Sequence, residues 1–367
     1  MSPAAAISLE HVRKAFPGAA DAAVGDLTLD VPEGRLVAFV GPSGCGKTTT
    51  LKMINRLIDP TSGRIEVLGR DQRSFPVHDL RRSIGYVIQQ IGLFPHRTIA
   101  ANVGTVPKLL GWDKRRIAER IDELVDLVGL DRSVLPRYPA ELSGGQQQRI
   151  GVARALAADP PILLMDEPYS AIDPIVRARL QDELLRLQER LAKTIVLVTH
   201  DIDEAIKLAD RVAVFNVGGV LEQYAPPAEL LSRPASPFVE QFLGRERGLR
   251  RLALSRVRDL VYGIGPVVPR DVDADSGRAA ADKAGTEFVV VVDDQRLLGW
   301  LWVEELERGS SRPEPRPFRV VVSPDTAVRE ALDVIVLSRT RIAVVVDGEG
   351  TYRGMVTVDD IAEGLAR

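Results

Sequence analysis

Gly41-Pro42-Ser43-Gly44-Cys45-Gly46-Lys47-Thr48 is the stretch whose reading decides the fold. It has the form G-x-x-x-x-G-K-[ST], a glycine-rich loop whose backbone amides turn inward onto phosphate oxygens. Its neighbours supply the context this motif needs. Upstream, Arg35-Leu36-Val37-Ala38-Phe39-Val40 is a short apolar run of the kind a buried strand makes. Downstream, Leu51, Ile54 and Ile58 fall at helical spacing. Strand, loop and helix follow in order, and the positive end of the helix strengthens the phosphate site. In this reading Lys47 reaches the β- and γ-phosphates, and the Thr48 hydroxyl ligates Mg²⁺.

The whole chain narrows the class further. Its 367 residues are enough for two or three domains, each with its own core. A content of 45% hydrophobic and 27% charged residues is that of a globular protein. The formal net charge of -3 argues against wholesale nucleic-acid binding. A single cysteine, Cys45, excludes an intrachain disulfide framework and fits a reducing compartment. Lying inside the phosphate loop, Cys45 is expected to pack as a small residue. The start, Met1-Ser2-Pro3-Ala4-Ala5-Ala6-Ile7, lacks the charged segment and apolar core of a signal peptide. No stretch approaches the ~20 apolar residues of a membrane helix. Work at a membrane would therefore go through a partner.

Residues 7–34 read as strands and turns leading into the loop. Phe16, between Arg13-Lys14 and Pro17-Gly18, either stacks on an adenine or serves as a core ring; the residues alone leave both open. Short strands follow over 61–90, and the run Ile84-Gly85-Tyr86-Val87-Ile88-Gln89 stops on a glutamine that orients water, binds Mg²⁺ or simply caps an edge. Thr98 reads as a helix N-cap, weakened because Ala101 stands where a capping box wants Glu or Gln. Residues 112–131 have helical apolar spacing broken by Gly129.

Leu142-Ser143-Gly144-Gly145-Gln146 leads into Ile150, Val152, Ala153 and Leu156. Here Ser143 caps a helix whose exposed first amides form a second phosphate site. One ATP has no obvious use for both sites, whereas two chains facing each other do. The continuously apolar Pro161-Ile162-Leu163-Leu164-Met165, marking a strand covered on both faces, ends in Asp166-Glu167. Adjacent carboxylates there are costly to desolvate without a partner. Asp166 suits a Mg²⁺ shell, and Glu167 suits general-base work on a water. An amphipathic helix over 174–192 follows, and then Thr194-Ile195-Val196-Leu197-Val198-Thr199, another buried strand, ends on His200-Asp201. Four strands thus finish on polar groups: the P-loop, Gln89, Asp166-Glu167 and His200. In parallel α/β sheets the ligand sits outside those carboxyl ends.

Together these residues resemble the nucleotide-binding subunit of an ABC transporter over residues 7–244. The resemblance implies an α/β fold: a P-loop (RecA-like) ATPase core over 1–244, with a helical subdomain at about 93–157. It makes Gly41 to Thr49 the Walker A motif, with Gly41, Pro42, Ser43, Gly44, Cys45, Gly46, Lys47, Thr48 and Thr49 lining ATP. Gln89 becomes the glutamine loop and Ser143, Gly144, Gly145 and Gln146 the signature. Ile162 to Asp166 becomes Walker B, Ser170-Ala171-Ile172-Asp173 the D-loop and His200 the switch histidine. Phe16 takes the adenine-stacking position. Catalysis would rest on Glu167, His200 and Gln89, and Mg²⁺ on Thr48, Gln89 and Asp166. The family also implies a head-to-tail homodimer, with each ATP between Walker A of one copy and the signature of the other and Asp173 close by. It implies a separate integral-membrane permease, an extracytoplasmic substrate-binding protein met only indirectly, and a peripheral position on the cytoplasmic face of the inner or plasma membrane. Nucleic acid has no part in it.

Three segments resemble the importers of glycine betaine, choline and carnitine: Leu51 to Ile58, Ile88 to His96, and Thr199 to Leu208. Ala101 and Arg97 depart from the wider family, which often has Glu and Met there, near the expected permease surface. An ATPase for amino acids or polyamines is the alternative, and a nucleotide-dependent sensor or scaffold a third reading. Gln89-Gln90 and the tail described next speak against the first of these, and Glu167 with His200 against the second.

After the basic run Arg245 to Arg251, within a linker at 245–254, the chain changes character. Thr286 to Asp293 parallels Thr340 to Asp347, and Gly299 to Leu306 parallels Gly354 to Ile361. Each unit reads strand, turn, strand, helix, with Ser310 to Pro315 as linker. The pair resembles tandem cystathionine-β-synthase (CBS) domains forming a smaller α+β part, a degenerate repeat at 255–309 and a second at 317–367. Thr357 and Asp360 match positions that contact phosphate and ribose in nucleotide-binding members. Trp302 and Glu305 stand there in the first repeat, so that site is expected to be lost. The polar, alanine-rich Asp271 to Ala284 is expected to make a poorly packed helix, which favours dimerisation or gating over tight ligand binding.

Overall fold

A computed structural model describes residues 4–88, 92–170, 172–308 and 313–366. The chain divides into two compact units, Met1–Gly244 and Arg245–Arg367.

The first unit is organised by a six-stranded sheet in the order Val220–Ala225, Arg211–Asn216, Leu36–Val40, Thr194–Val198, Ile162–Asp166, Ile84–Val87. All neighbours pair in parallel except the outermost hairpin, Arg211–Asn216 with Val220–Ala225. Every residue of Leu36–Val40, Ile162–Asp166 and Thr194–Val198 is buried, as central strands of a covered sheet require. The register matters for function. Val198 pairs with Phe39 on one side and Asp166 on the other, and Val87 pairs with Met165. The chain therefore leaves four neighbouring strands at one level. Gln89, expected at the end of the fourth, lies outside the described residues.

A second, antiparallel sheet runs Val24–Pro32, Ala5–Lys14, Ser62–Val67, Arg70–Asp71. One apolar core joins the two sheets: Ile7, Leu9, Leu27 and Ile65 share it with Phe39, Leu164 and Phe215. Each such side chain, fully buried, contributes about 1.5–3 kcal/mol. The helical part comprises Ile99–Val103, Thr105–Leu109, Lys114–Leu127 and Gly144–Leu156. The Thr98 hydroxyl accepts from Ala101 N, so the cap forms without a capping box. Buried Asn102 does the anchoring instead: its amide accepts from Phe94 N and donates to the carbonyls of Phe94, Arg97 and Thr98.

The second unit carries a three-stranded sheet, Val267–Pro269, Phe288–Asp293, Arg296–Trp302, and a two-stranded one, Ala343–Val346 with Tyr352–Val356. Phe288, Val290 and Trp300 pack with Ile342, Val344 and Met355, so the two halves share apolar contacts. The expectation of a poorly packed first helix needs correction. Ala274–Ala284 is helical, capped by Asp273 and closed by left-handed Gly285. Ala281 is buried, and a Cβ on Gly277 would meet Leu306 at 2.6 Å. Small residues let the following helix, Val303–Glu307, approach closely, so poor apolar content here means tight spacing instead of loose packing.

Candidate active site

The phosphate loop turns into the helix Lys47–Ile54 through Gly46, whose φ is 94°. A Cβ there would sit 2.4 Å from the Ala23 carbonyl oxygen, so only glycine fits. Lys47 is buried, and its ammonium donates to the carbonyls of Gly41 and Pro42 at 2.8 and 3.0 Å. Ser43 and Gly44 are exposed, while Cys45 is buried and packs in the core, as expected of a small residue. Thr49 is half-buried on the first turn of the helix.

The sheet register delivers Asp166 beside this helix. The Thr48 hydroxyl donates to Asp166 Oδ1 at 2.8 Å. Burial holds the Asp166 carboxyl above its ordinary range and neighbouring Glu167 adds to this, while the hydrogen bond from Thr48, Lys52 and the Tyr86 hydroxyl oppose it. The Tyr86 phenol is itself driven up by burial, then by the charge of Asp166. A desolvated carboxylate beside a hydroxyl is a hard-oxygen donor set, and Mg²⁺ is held by one or two carboxylates plus substrate phosphates. Thr48 and Asp166 fit that ion.

Glu167 follows with φ at 44°, its amide donating to Val198 O at 2.9 Å. His200 Nδ1 lies 3.3 Å from Glu167 Oε2, and the imidazole is 59% exposed. The carboxylate expected to activate water and the histidine expected to switch are therefore neighbours. Phe16 is 42% exposed, with Lys14 Nζ 5.1 Å from its ring centre. It is no core ring, which removes one of its two sequence readings.

Ser143 and Gly144 are exposed at the start of Gly144–Leu156. The Ser143 hydroxyl accepts from Gln146 N at 3.4 Å, while Gln146 Oε1 accepts from Ser143 N at 3.0 Å. This capping box was legible as S-x-x-Q and was missed. Gly145 lies against Val176, which a Cβ would meet at 2.8 Å. Val176 lies in the first turn of the helix Pro174–Leu191, where its amide donates to the capping Asp173. Signature and D-loop are thus side by side. Among the described residues no hydrogen bond joins Ser143–Gln146 to the P-loop.

The chain is similar to known proteins. The profile of the family described as ABC transporter matches residues 24–170, and that of the CBS domain matches 313–367. The osmoprotectant import ATP-binding protein OsmV of Salmonella typhimurium is 46% identical over 368 residues, spanning 98% of this chain and 96% of its own. The glycine betaine/carnitine/choline transport ATP-binding protein OpuCA of Bacillus subtilis is 44% identical, spanning 96% and 94%. This chain belongs to the ATP-binding subunits of ABC transporters. Among solved structures, the dimeric form of MJ0796, a bacterial ABC transporter cassette, superimposes with a TM-score of 0.55 at 33% identity, covering 60% of this chain and 98% of that one.

As an ABC ATP-binding subunit the protein binds and hydrolyses ATP. Among the described residues no helix is long and apolar enough to cross a membrane. Ala171 of the D-loop, like Gln89, lies outside the described residues. Three residues beside the expected ATP site escaped the sequence reading. Tyr86 bonds Asp166; buried Gln148 donates to the Pro168 carbonyl beside Glu167; and Glu204 is buried beneath the switch loop. Only Glu204 carried a signal, the D-x-x-E spacing from Asp201. In the second unit, Thr357 donates its amide and hydroxyl to Asp360 Oδ2, both at 2.8 Å, where the helix Val358–Ala366 begins. In the first repeat Glu305 accepts from Trp302 N and pairs with Arg316.

Proposed function

We propose that this subunit powers uptake of a quaternary-amine osmoprotectant, in the class of glycine betaine, choline and carnitine, through a separate integral-membrane permease. Hydrolysis takes place between two copies set head to tail. The names of two relatives matched over nearly their full length, tail included, support the cargo class. The observation that carries the mechanism is the exposed Ser143–Gly144 helix start in a chain that separately gathers Lys47, Thr48, Asp166, Glu167 and His200.

In this reading the loop amides from Gly41 to Thr49 hold the phosphates, and Lys47 exchanges its carbonyl partners for phosphate oxygens. Phe16 offers its ring to the adenine. Thr48, Asp166 and Gln89 would hold Mg²⁺, which would supply charge neutralisation on the phosphates. Glu167 takes a proton from the attacking water, and Gln89 orients that water. His200 holds the γ-phosphate in line from beside Glu167. From the second copy, the amides of Ser143, Gly144 and Gly145, with Gln146 holding the cap, close on the same phosphate, and Asp173 fixes the adjoining D-loop. The protein works from the cytoplasmic face of the membrane, and the extracytoplasmic binding protein selects cargo without touching this chain. The tail acts as a gate, with Thr357 and Asp360 as its candidate ligand contacts.

Labelled glycine betaine uptake tests this, in cells carrying the protein or Glu167→Gln, at low and high osmolarity. Choline, carnitine, methionine and spermidine serve as competitors. Uptake lost in the variant and blocked by quaternary amines supports the reading. Betaine uptake that survives, or loss of methionine or spermidine uptake instead, overturns the cargo.

A further inference from the structure

The ATP site leaves two buried or half-buried ionisable groups without a role: Arg177, on the helix Pro174–Leu191, and Glu204, on the helix Ile202–Leu208. Both line a small cavity together with Glu167 and His200. The guanidinium of Arg177 donates from Nη2 to the Ile172 carbonyl of the D-loop at 3.0 Å, and its Nη1 lies 3.6 Å from Asp201 Oδ2. Glu204 accepts the Thr199 hydroxyl, which in turn accepts from Asp201 N at 3.0 Å. Thr199 N is tied to Phe39 O at 3.1 Å, at the root of the phosphate loop. His200 therefore sits between two residues whose positions are set by Glu204 and Arg177.

We infer that Arg177 and Glu204 are positioning residues, Glu204 fixing Thr199 within the switch loop and Arg177 fastening that loop to the D-loop of the same chain, so that His200 meets Glu167 only while the Ile172 carbonyl is engaged. This rests on the proposed roles of Glu167 and His200. A charged, forked donor is needed at 177 because it must serve a carbonyl on one loop and a carboxylate on the other. An acceptor is needed at 204 because the Thr199 hydroxyl is buried with it. Burial pushes the Glu204 carboxyl up to about 7, consistent with a group kept for geometry in spite of its desolvation. Movement of the D-loop, wherever it starts, reaches His200 through one side chain.

The chain has four histidines, His11, His78, His96 and His200, so the imidazole NMR signals of the full-length protein report on His200 with three internal controls. Arg177→Met and Glu204→Met, which remove the forked donor and the acceptor, are expected to shift the His200 signal and leave the other three in place. ATP hydrolysis should lose about tenfold in kcat with KM held within about twofold, and Arg177→Lys should restore the signal only in part. A His200 signal unmoved in both variants, or an equal loss in kcat and affinity, overturns the inference. If either variant unfolds the chain, the other and Arg177→Lys decide by the same signals. Undiminished hydrolysis in His200→Ala would instead sink the reading on which this one rests, whatever the signals do.

Discussion

The Thr48 hydroxyl donates to Asp166 Oδ1 across 2.8 Å, so the first turn of the phosphate-loop helix and the last residue of a central strand share one oxygen cluster. Asp166→Asn should keep that hydrogen bond but lose the anionic ligand. Hydrolysis is expected to fall by about a hundredfold or more. Titration calorimetry should show ATP binding without Mg²⁺ unchanged and the gain on adding Mg²⁺ abolished. A preserved gain would remove Asp166 from the metal shell.

Head-to-tail pairing makes a prediction that no single variant can make. Lys47→Ala disables the loop and Ser143→Arg the signature, and each should be inactive alone. Mixed, they form dimers in which one of the two sites draws both intact halves. Hydrolysis in the mixture well above either pure variant is expected; a mixture as inactive as its components would mean that the two motifs do not serve one site.

Gly46 and Gly44 both have left-handed backbone, with φ of 94° and 80°, but differ in space. A Cβ on Gly46 meets the Ala23 carbonyl oxygen at 2.4 Å, whereas nothing lies within 4 Å of one on Gly44. Gly44→Ala should cost about 1 kcal/mol from the backbone alone. Gly46→Ala should cost about 2 kcal/mol or more, because a main-chain contact has to open. Chemical denaturation distinguishes the two; equal losses would mean that the Ala23 contact yields freely.

The Glu204 carboxyl is pushed from 4.5 up to about 7, first by burial and then by Asp201, against the opposing pull of Thr199, Gln181 and Arg177. The buried Tyr169 hydroxyl also faces it. A raised carboxyl favours folding fully at pH below about 4.5, and the advantage is lost as pH rises through about 7. Glu204→Gln does not titrate. Its unfolding temperature relative to the parent should therefore rise between about pH 5 and about pH 8; a constant difference would mean that Glu204 stays ionised across that range.

Strand–loop–helix order around Lys47 and the apolar runs ending at Asp166 and His200 were legible because a buried parallel strand writes itself as an unbroken apolar run. The level at which those strands end was legible too, since each run stops on a polar residue. Contacts such as Arg177 to Asp201 were not. They join side chains from different helices, and nothing in the periodicity of either helix says that their polar positions face each other. The helix Ala274–Ala284 was misjudged for a related reason: alanine and glycine look like weak core until the neighbour that needs their smallness, Leu306, is known.

Glu167 holds a left-handed backbone, φ 44°, that disfavours any residue with a side chain by about 1 kcal/mol. Glycine at this position would relax the turn and remove the proposed base in the same stroke. Directed evolution for heat tolerance would thus be drawn toward an inert protein at this residue, and a library ranked by thermal resistance alone would enrich it. A selection on growth under osmotic stress would pull the other way, which makes position 167 a place to watch whenever this subunit is hardened for use outside the cell.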